Sequence, residues 1–385
     1  MDRPLVACVL AGGTGTRLYP ASTGRVPKQF RSFSGEKSLL ARTIDRVAFA
    51  DRIYVLTRAA FTEQVGGILA NADVGREAVT VLAEPDAKDT GPALVYAAHR
   101  IGQEIGDCVL LSVPSDHHVA DRDDDTDLRD DGDRNDDPDT EGGFEATMRE
   151  AARVAVDTEG LVTIGVEPTR VATGYGYLKP TDEDDADEAN GEKGDAEGTG
   201  DGKSPTHTRV ETFREKPDPG AAARYVHHGY LWNAGIFAWT PAALLDAARG
   251  TDLGPLVASL DASEPEHGFA SIDPVSVDHA VLEPAAADGA VYVVRASFEW
   301  NDLGAWDAFE RVHGSDENGN TVLGEALLAN TSGTIVASDA DTHVSVLGVS
   351  DLVVAAYDDR VLVVPKDDAQ RVREVVTELK KRGLR

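Results

Sequence analysis

The sequence is poor in cysteine and has no long apolar run. Cys8 and Cys108 are its two cysteines among 385 residues. Both stand inside short apolar stretches, where a small buried side chain is expected and a redox or metal role is not. No stretch approaches the roughly 18 apolar residues that span a bilayer, and the N-terminus carries no signal-peptide pattern. We therefore expect a cytoplasmic protein that does not enter a membrane.

Basic residues are scarce as well. The chain has 37 Lys and Arg against 68 Asp and Glu, which gives a formal net charge of −31. Residues 121–143 carry −9 and residues 181–206 carry −8, and the acidic excess continues outside these tracts. This composition predicts adaptation to high cytoplasmic salt, where screening weakens charge repulsion. It also argues against nucleic acid as a partner, because the field of the protein would repel it.

Acidic residues are missing from one region, residues 3–35, which holds five basic residues. The apolar run Leu5–Leu10 predicts a buried parallel strand there, and the loop after it is rich in glycine, which lets backbone N–H groups approach phosphate oxygens. The candidate nucleotide-binding residues of this loop are Leu10, Ala11, Gly12, Gly13, Thr14 and Gly15. Arg17 and Lys28 add positive charge, so the region predicts a site for a polyanion, with a simple tight turn as the alternative.

The loop fits neither of the two common phosphate-binding patterns. Leu18 stands where a Rossmann fingerprint has its third glycine, and the Gly-Lys-Ser/Thr of a Walker loop is absent. The loop resembles instead the sugar-nucleotidyltransferase signature Gly-Gly-x-Gly-x-Arg-Leu-x-Pro followed by Pro-Lys. The continuation Pro27-Lys28-Gln29-Phe30 is similar to that of the mannose-1-phosphate guanylyltransferases, also called GDP-mannose pyrophosphorylases.

Strand-like and helix-like patterns alternate after the loop. Strands are expected at 53–56, 79–82, 108–113 and 161–166, and helices at about 38–48, 59–71, 91–104 and 144–157. This alternation predicts a Rossmann-like, doubly wound, mostly parallel α/β sheet with its ligand crevice at the carboxyl ends of the strands. The resemblance implies the GT-A-like form of that fold found in nucleotidyltransferases.

Two domains are expected. We place a nucleotidyltransferase catalytic domain at residues 1–315 and a small β-rich domain that ends in a helix at residues 316–385, where short apolar runs are separated by turn residues. No hexapeptide repeat occurs, which argues against the β-helix of acetyltransferases. The acidic tracts 121–143 and 181–206 are nearly free of apolar residues, and we expect them to be disordered insertions into the catalytic domain.

A segment from Glu84 to Ala93 follows the third expected strand. From the residues alone, Asp89 or Thr90 could simply cap the next helix. A similar segment of the guanylyltransferases lies against the base, with Arg, Asn and Ala at the positions of Lys88, Asp89 and Gly91. The nucleotide-binding residues that this resemblance implies are Glu84, Lys88, Asp89 and Thr90 of this segment and Pro114 at the end of the fourth strand.

Two carboxylates are the metal candidates. Asp116 comes just after the fourth strand, where a carboxylate could hold Mg²⁺, a hard cation that prefers oxygen ligands, or could be a turn residue. It matches the Pro-x-Asp-His motif of the guanylyltransferases. Asp302 matches their Trp-x-Asp-x-Gly-x-Trp motif, with a turn before a helix as the alternative. The resemblance implies that both bind Mg²⁺, so the two must converge in space.

The sugar-binding candidates lie further along the chain. Gly176 stands in a glycine-rich segment that lines the sugar pocket in the resembled family. Glu215 and Lys216 match a Glu-Lys-Pro box, in which a carboxylate can accept hydrogen bonds from sugar hydroxyls while an ammonium holds the phosphate, although two charges on a solvated face are the alternative. Asn233 can donate and accept, which suits a sugar hydroxyl, with a structural turn as the alternative. The segment 276–283 resembles another family motif, and we assign it no role.

The resemblance implies the transfer of GMP from GTP to α-D-mannose 1-phosphate, with Arg17 and Lys28 at the triphosphate and Mg²⁺ as cofactor. Two alternatives stay open at this point. The chain could act on another sugar 1-phosphate or nucleoside triphosphate, or it could be a non-catalytic paralogue that binds sugar nucleotides and regulates a partner enzyme. The oligomeric state is open, with a homodimer among the alternatives.

Overall fold

Strands and helices alternate along the first part of the chain, as the apolar runs predict. The structure, a computed structural model, describes residues 3–33, 35–70, 72–74, 76–121, 143–181 and 206–383. The strands are β1 Leu5–Leu10, β2 Arg52–Arg58, β3 Val79–Glu84, β4 Val109–Pro114, β5 His117–Asp121, β6 Leu161–Val166, β7 Gly176–Pro180, β8 His207–Glu215, β9 Leu231–Trp239, β10 Val291–Arg295, β11 Phe298–Asp302, β12 Thr321–Leu323, β13 Ala326–Ala329, β14 Ile335–Ser338, β15 Val344–Leu347, β16 Leu352–Tyr357 and β17 Arg360–Pro365. The α-helices are α1 Leu39–Arg46, α2 Thr62–Leu69, α3 Thr90–Ile105, α4 Gly143–Thr158, α5 Pro219–His227, α6 Pro241–Arg249, α7 Gly254–Asp261, α8 Pro265–Ala270, α9 Glu283–Ala287, α10 Asp307–His313 and α11 Val372–Lys381.

The central sheet has nine strands in the order β3-β2-β1-β4-β9-β6-β10-β8-β7. The pairs β1–β2, β1–β4, β2–β3 and β6–β10 are parallel, whereas β9 lies antiparallel between β4 and β6. Side chains of β1 enter two cores in alternation, with Ala7 and Val9 on one face of the sheet and Val6 and Cys8 on the other. The predicted doubly wound α/β fold is therefore confirmed, but the sheet is mixed and not mostly parallel, because β9 runs antiparallel to β4 and β6, and β8 runs antiparallel to β10 and β7.

Five of the C-terminal strands, β12 to β16, pair in parallel, whereas β17 pairs antiparallel with β16. β12, β14 and β16 are parallel neighbours, and β13 pairs in parallel with β15. Ile335 pairs with Val353 and Ala326 pairs with Val344, so residues eighteen positions apart in the sequence lie side by side on neighbouring strands. The sequence predicted a β-rich C-terminal part that ends in a helix, which is confirmed by α11, but its turn residues did not reveal this parallel stacking.

One apolar cluster joins the C-terminal strands to the glycine-rich loop. It includes Leu18 after the loop, Trp306 before α10, and Ile335 and Val353 of the C-terminal strands. Because this cluster crosses from one expected domain to the other, it fixes the C-terminal part behind the loop. The domain boundary between 315 and 316 stays a prediction.

The acidic tracts 121–143 and 181–206 lie almost wholly outside the described residues, so their expected disorder stays a prediction. In the described part of the chain, no helix combines the length and the apolar character that crossing a membrane requires. Cys8 and Cys108 are buried free thiols, in keeping with their expected packing role.

Candidate active site

A cavity of about 570 Å³ opens at the carboxyl ends of β1, β3 and β4. Most of the residues predicted to bind substrates or metal line it. They are Leu10, Gly12, Gly13, Glu84, Asp89, Thr90, Pro114, Asp116, Gly176, Glu215, Lys216, Asn233 and Asp302. The predicted residues that do not line it are Ala11, Thr14, Gly15, Arg17, Lys28 and Lys88. The cavity therefore brings together segments that are up to about three hundred residues apart in the chain.

The glycine-rich loop is shaped by close packing. Gly15 has a φ of 56°, and a Cβ on it would lie 2.6 Å from Cγ of Lys28. A Cβ on Gly12 would lie 2.9 Å from Oε1 of Glu84. Gln29 Nε2 donates to the carbonyl oxygens of Ala11 and Gly13, each at 2.9 Å. These hydrogen bonds fix the backbone of the loop, and the close contacts leave no room for larger side chains at Gly12 and Gly15.

Lys28 joins the two metal candidates. Its Nζ lies 2.7 Å from Oδ2 of Asp116 and 3.7 Å from Oδ1 of Asp302, and it donates to the Leu303 carbonyl at 3.0 Å. The Lys28 residue is 5% exposed. Burial alone would lower the pKa of Lys28, but the two neighbouring carboxylates outweigh it and raise that pKa above its usual value. Asp116 and Asp302 therefore do converge, and antiparallel pairing of β5 with β11 places Asp302 opposite His117.

The two carboxylates fit a hard cation. Burial would raise the pKa of Asp116, but the Lys28 ammonium outweighs it and lowers that pKa to about 2, so the carboxylate is charged at neutral pH. Mg²⁺ is usually held by one or two carboxylates plus water and substrate phosphates. In the part of the chain that the structure describes, no three His, Cys, Asp or Glu side chains form a metal-binding group. A pair of carboxylates suits a metal whose other ligands come from the substrate.

Arg17 is positioned from the C-terminal part of the protein. Its Nη1 donates to Oε1 of Gln370 at 3.3 Å, and Nε2 of Gln370 donates to Oδ1 of Asp307 at 3.0 Å. A Cβ on Gly304 would meet Nη2 of Arg17 at 2.9 Å and Oδ2 of Asp302 at 2.8 Å, so both side chains border this glycine. The sequence carries no signal for Gln370, because its contact with Arg17 spans 353 residues.

The side of the cavity that is predicted to bind the nucleotide, called the nucleotide side below, holds a buried carboxyl. Burial raises the pKa of Glu84 to about 7, against the opposing charge of Arg58, whose Nε lies 3.9 Å away. Asp89 does cap α3, since its Oδ1 accepts from the N–H of Thr90 at 2.7 Å. Lys88 donates from Nζ to the Ile272 carbonyl at 2.7 Å and does not line the cavity. Arg58 lines the cavity and was missed from the sequence.

The side of the cavity that is predicted to bind the sugar, called the sugar side below, is crowded with polar groups. Glu215 accepts from Lys216 Nζ, from Ser276 Oγ at 3.0 Å, and lies 2.9 Å from Nε2 of His279. Burial alone would raise the pKa of Glu215, but the contact with Lys216 outweighs it and lowers that pKa. Asp278 also lines the cavity. The unassigned segment 276–283 therefore reaches the predicted sugar site, which the sequence indicated only through its likeness to a family motif.

Comparisons with known proteins agree with this arrangement. A model of the nucleotidyl transferase family matches residues 6–130 and 135–319, and a model of the MannoseP isomerase/GMP-like beta-helix domain matches residues 324–379. The xanthan biosynthesis protein XanB of Xanthomonas campestris pv. campestris is 31% identical over 389 residues, which cover 97% of this chain and 73% of XanB. A mannose-1-phosphate guanylyltransferase of Sinorhizobium fredii is 29% identical over 390 residues, which cover 97% of this chain and 68% of that protein.

A solved structure is similar over the whole fold. The crystal structure of mannose-1-phosphate geranyltransferase from Thermus thermophilus matches with a TM-score of 0.78 and 32% identity, over 98% of this chain and 99% of that one. The chain belongs to the nucleotidyl transferase family. Within that family it is of the mannose-1-phosphate guanylyltransferase type, and so it is an enzyme that joins a nucleotide to a sugar phosphate.

Proposed function

We propose that this enzyme transfers GMP from GTP to α-D-mannose 1-phosphate and releases GDP-mannose and pyrophosphate. The observation that carries the proposal is the meeting of Lys28, Asp116 and Asp302 beside the glycine-rich loop. Asp116 and Asp302 line a cavity of about 570 Å³, a volume within the range of small-molecule sites, and Lys28 adds a cation beside them. The relative from Sinorhizobium fredii, named for this activity, supports the same substrates.

The reaction needs charge neutralisation more than acid or base catalysis. A phosphate oxygen of the sugar 1-phosphate, already ionised at neutral pH, attacks the α-phosphorus of the triphosphate. The bond from that phosphorus to the oxygen bridging to the β-phosphate breaks, and pyrophosphate leaves with the electron pair. Because both reactants are polyanions, positioned positive charge is the main requirement. The reaction as written requires no proton transfer.

Arg17 and Lys28, next to the glycine-rich loop, are proposed to bind the triphosphate. Lys28 also offsets the mutual repulsion of Asp116 and Asp302, which are proposed to hold Mg²⁺. That ion would supply further positive charge for the reacting phosphates. Lys216 would hold the phosphate of the sugar 1-phosphate, while Glu215 would orient the sugar.

A matrix of nucleoside triphosphates against sugar 1-phosphates, with Mg²⁺ and pyrophosphate release as the readout, tests the proposal. The matrix is run at low and at molar KCl, since the net charge of −31 favours a salt-adapted enzyme. We expect GTP with mannose 1-phosphate to be the best pair. Another pair that wins by tenfold or more would overturn the substrate assignment.

A different base is the second candidate, and one observation favours it. Lys88 replaces the arginine of the guanylyltransferase segment, and its ammonium contacts the Ile272 carbonyl instead of lining the cavity. The base is then selected without that contact. The same matrix decides between the two, because the alternative predicts ATP, UTP or dTTP in the winning pair.

A further inference from the structure

The segment from Ile272 to His279 connects the nucleotide side of the cavity to the sugar side, and we call it the linking segment. On the nucleotide side, the N–H of Gly91 donates to the Val275 carbonyl at 3.0 Å. The N–H of Val277 donates to Oγ1 of Thr90 at 3.0 Å. These hydrogen bonds fix the backbone that leads directly into the sugar side of the cavity.

Asn233 has little hydrogen-bonding capacity left for a ligand. Its Oδ1 accepts from Thr163 Oγ1 at 2.7 Å and from the N–H of Gly235 at 3.0 Å. Its Nδ2 donates to Oδ1 of Asp278 at 2.8 Å. A side-chain amide has two acceptor sites and two donor hydrogens, so a single N–H remains. The sequence suggested that Asn233 both donates to and accepts from the sugar, but its acceptor sites are already occupied.

Asp278 supplies the acceptor that Asn233 lacks. It lines the cavity together with Glu215, Lys216 and Gly176. Its Oδ1 is held by Asn233, and a carboxyl group with two oxygens keeps acceptor capacity beyond that bond. Burial and the neighbouring Glu215 raise the pKa of Asp278 to about 7. Near neutral pH the group can therefore accept a hydrogen bond from a hydroxyl or donate one to it.

We propose that Asp278 binds one hydroxyl of the sugar 1-phosphate and selects among sugars, with Asn233 as the positioning residue that holds its carboxyl group. This inference rests on the proposed sugar 1-phosphate substrate. The geometry supports it in three ways: the linking segment fixes the Asp278 backbone, Asn233 fixes its side chain, and the same cavity holds the Glu215 and Lys216 pair.

The test compares the removal of the carboxylate with the removal of each sugar hydroxyl. Wild-type enzyme and the D278A variant are assayed for pyrophosphate release with mannose 1-phosphate and its 2-, 3-, 4- and 6-deoxy analogues. One deoxygenation should lower kcat/KM of the wild type about 10- to 100-fold, as expected for a hydrogen bond to a charged group. The same deoxygenation should change kcat/KM of D278A by less than about twofold, because its partner is already gone.

A second variant guards against misfolding. In D278N the amide oxygen can still accept from Asn233, so the local structure is preserved while the charge is lost. The cost of the same deoxygenation should fall to about 3- to 10-fold, the range of a neutral hydrogen bond. The matched control is D273N, which changes an exposed aspartate of the same linking segment that does not line the cavity. It should keep the wild-type pattern and the wild-type KM for the triphosphate.

The outcomes separate the inference from the proposed function. If wild type releases pyrophosphate with no sugar 1-phosphate, the proposed function and the inference about Asp278 are both wrong. If wild type is active but every deoxygenation costs D278A and D278N as much as it costs wild type, the proposed role of Asp278 alone is wrong. A rise in the triphosphate KM of D278N without any change in sugar selectivity would likewise overturn it.

Discussion

At one end of the cavity a buried lysine joins two carboxylates, whereas at the other end Glu215 and Asp278 crowd together beside a lysine whose side chain is 64% exposed. At the first end, the Lys28 charge holds Asp116 in its ionised form, with a pKa of about 2. At the second end, burial and a like charge hold Asp278 near a pKa of 7. We call these the metal end and the sugar end.

The difference indicates a division of labour. A cluster of fixed charges acts on any phosphate that arrives, whatever sugar it carries, because Coulomb attraction has little directional preference. Hydrogen bonds between fixed side chains and hydroxyls depend on the position of each hydroxyl. We therefore expect the metal end to determine the rate of the chemical step and the sugar end to determine which sugar is used.

The largest effect is expected from D302A, which breaks the metal end. Loss of this carboxylate should lower kcat about 1,000-fold or more, because it removes a ligand proposed for the ion at the reacting phosphates. Pyrophosphate release measures the loss, and circular dichroism checks that the fold is intact. D359A is the control, since that aspartate side chain is 88% exposed and far along the chain in the turn after β16. Activity of D302A near the wild-type value would remove Asp302 from the site.

K28M should affect activity and stability together. Without the ammonium, the carboxylates of Asp116 and Asp302 face each other unpaired, which costs about 3 to 5 kcal/mol of unfolding free energy. We expect kcat to fall about 100- to 1,000-fold. Chemical denaturation and steady-state kinetics measure the two effects. The exposed neighbour Arg25 gives the control R25M, for which little change is expected. A stable K28M protein would mean that Lys28 does not balance these carboxylates.

G91A tests the connection between the two ends. A Cβ at Gly91 would lie 2.7 Å from the Val275 carbonyl oxygen and should push the linking segment away. We expect a loss of about 1 to 3 kcal/mol in unfolding free energy from the steric conflict, and a higher KM for the sugar 1-phosphate. The control is G67A in α2, where an added Cβ meets nothing within 4 Å. That variant should be neutral or more stable by about 0.5 to 1 kcal/mol. Equal behaviour of the two variants would contradict the described packing.

The raised pKa of Asp278 predicts a pH-dependent stability. Burial and Glu215 raise it from its usual 3.8 to about 7, so the protonated group is favoured in the folded protein. Its contribution is complete below about pH 4 and is lost as pH rises towards 7. The unfolding free energy of wild type should therefore fall relative to that of D278N over this range, by on the order of 4 kcal/mol. Denaturation at pH 4 and pH 8 measures the difference, and D273N serves as control. A constant difference between wild type and D278N would be inconsistent with the raised pKa.

Much of this fold could be predicted from the sequence because its signals are local. The apolar run Leu161–Val166 became β6 with the same bounds, and the cap at Asp89 marks the start of α3. The antiparallel insertion of β9 could not be predicted, since a strand carries no local mark of its neighbours. The parallel stacking of the C-terminal strands was missed for the same reason.

The residues of the candidate site likewise fall into those that a local sequence motif reveals and those that only distant contacts reveal. Asp116 and Asp302 were found because each lies in a motif, and the prediction that they converge required only that both motifs serve one site. Gln370 and Asp278 were not assigned, because their roles depend on contacts with residues far away in the chain. Lys88 was assigned from its position in a motif, but its side chain turns to the Ile272 carbonyl. Its role at the base stays a prediction.

The most direct test of this division of labour compares the two mild variants Q370A and D278N. The measurement is the ratio of kcat/KM for mannose 1-phosphate to kcat/KM for the deoxy analogue whose missing hydroxyl costs the wild type most. Q370A frees Arg17 at the metal end and should lower both values about 3- to 10-fold, leaving the ratio within about twofold of wild type. The exposed α11 variant E374A should leave both values unchanged. D278N should lower the ratio about tenfold, because it weakens the contact that selects the sugar. A changed ratio in Q370A, or an unchanged one in D278N, would contradict the account.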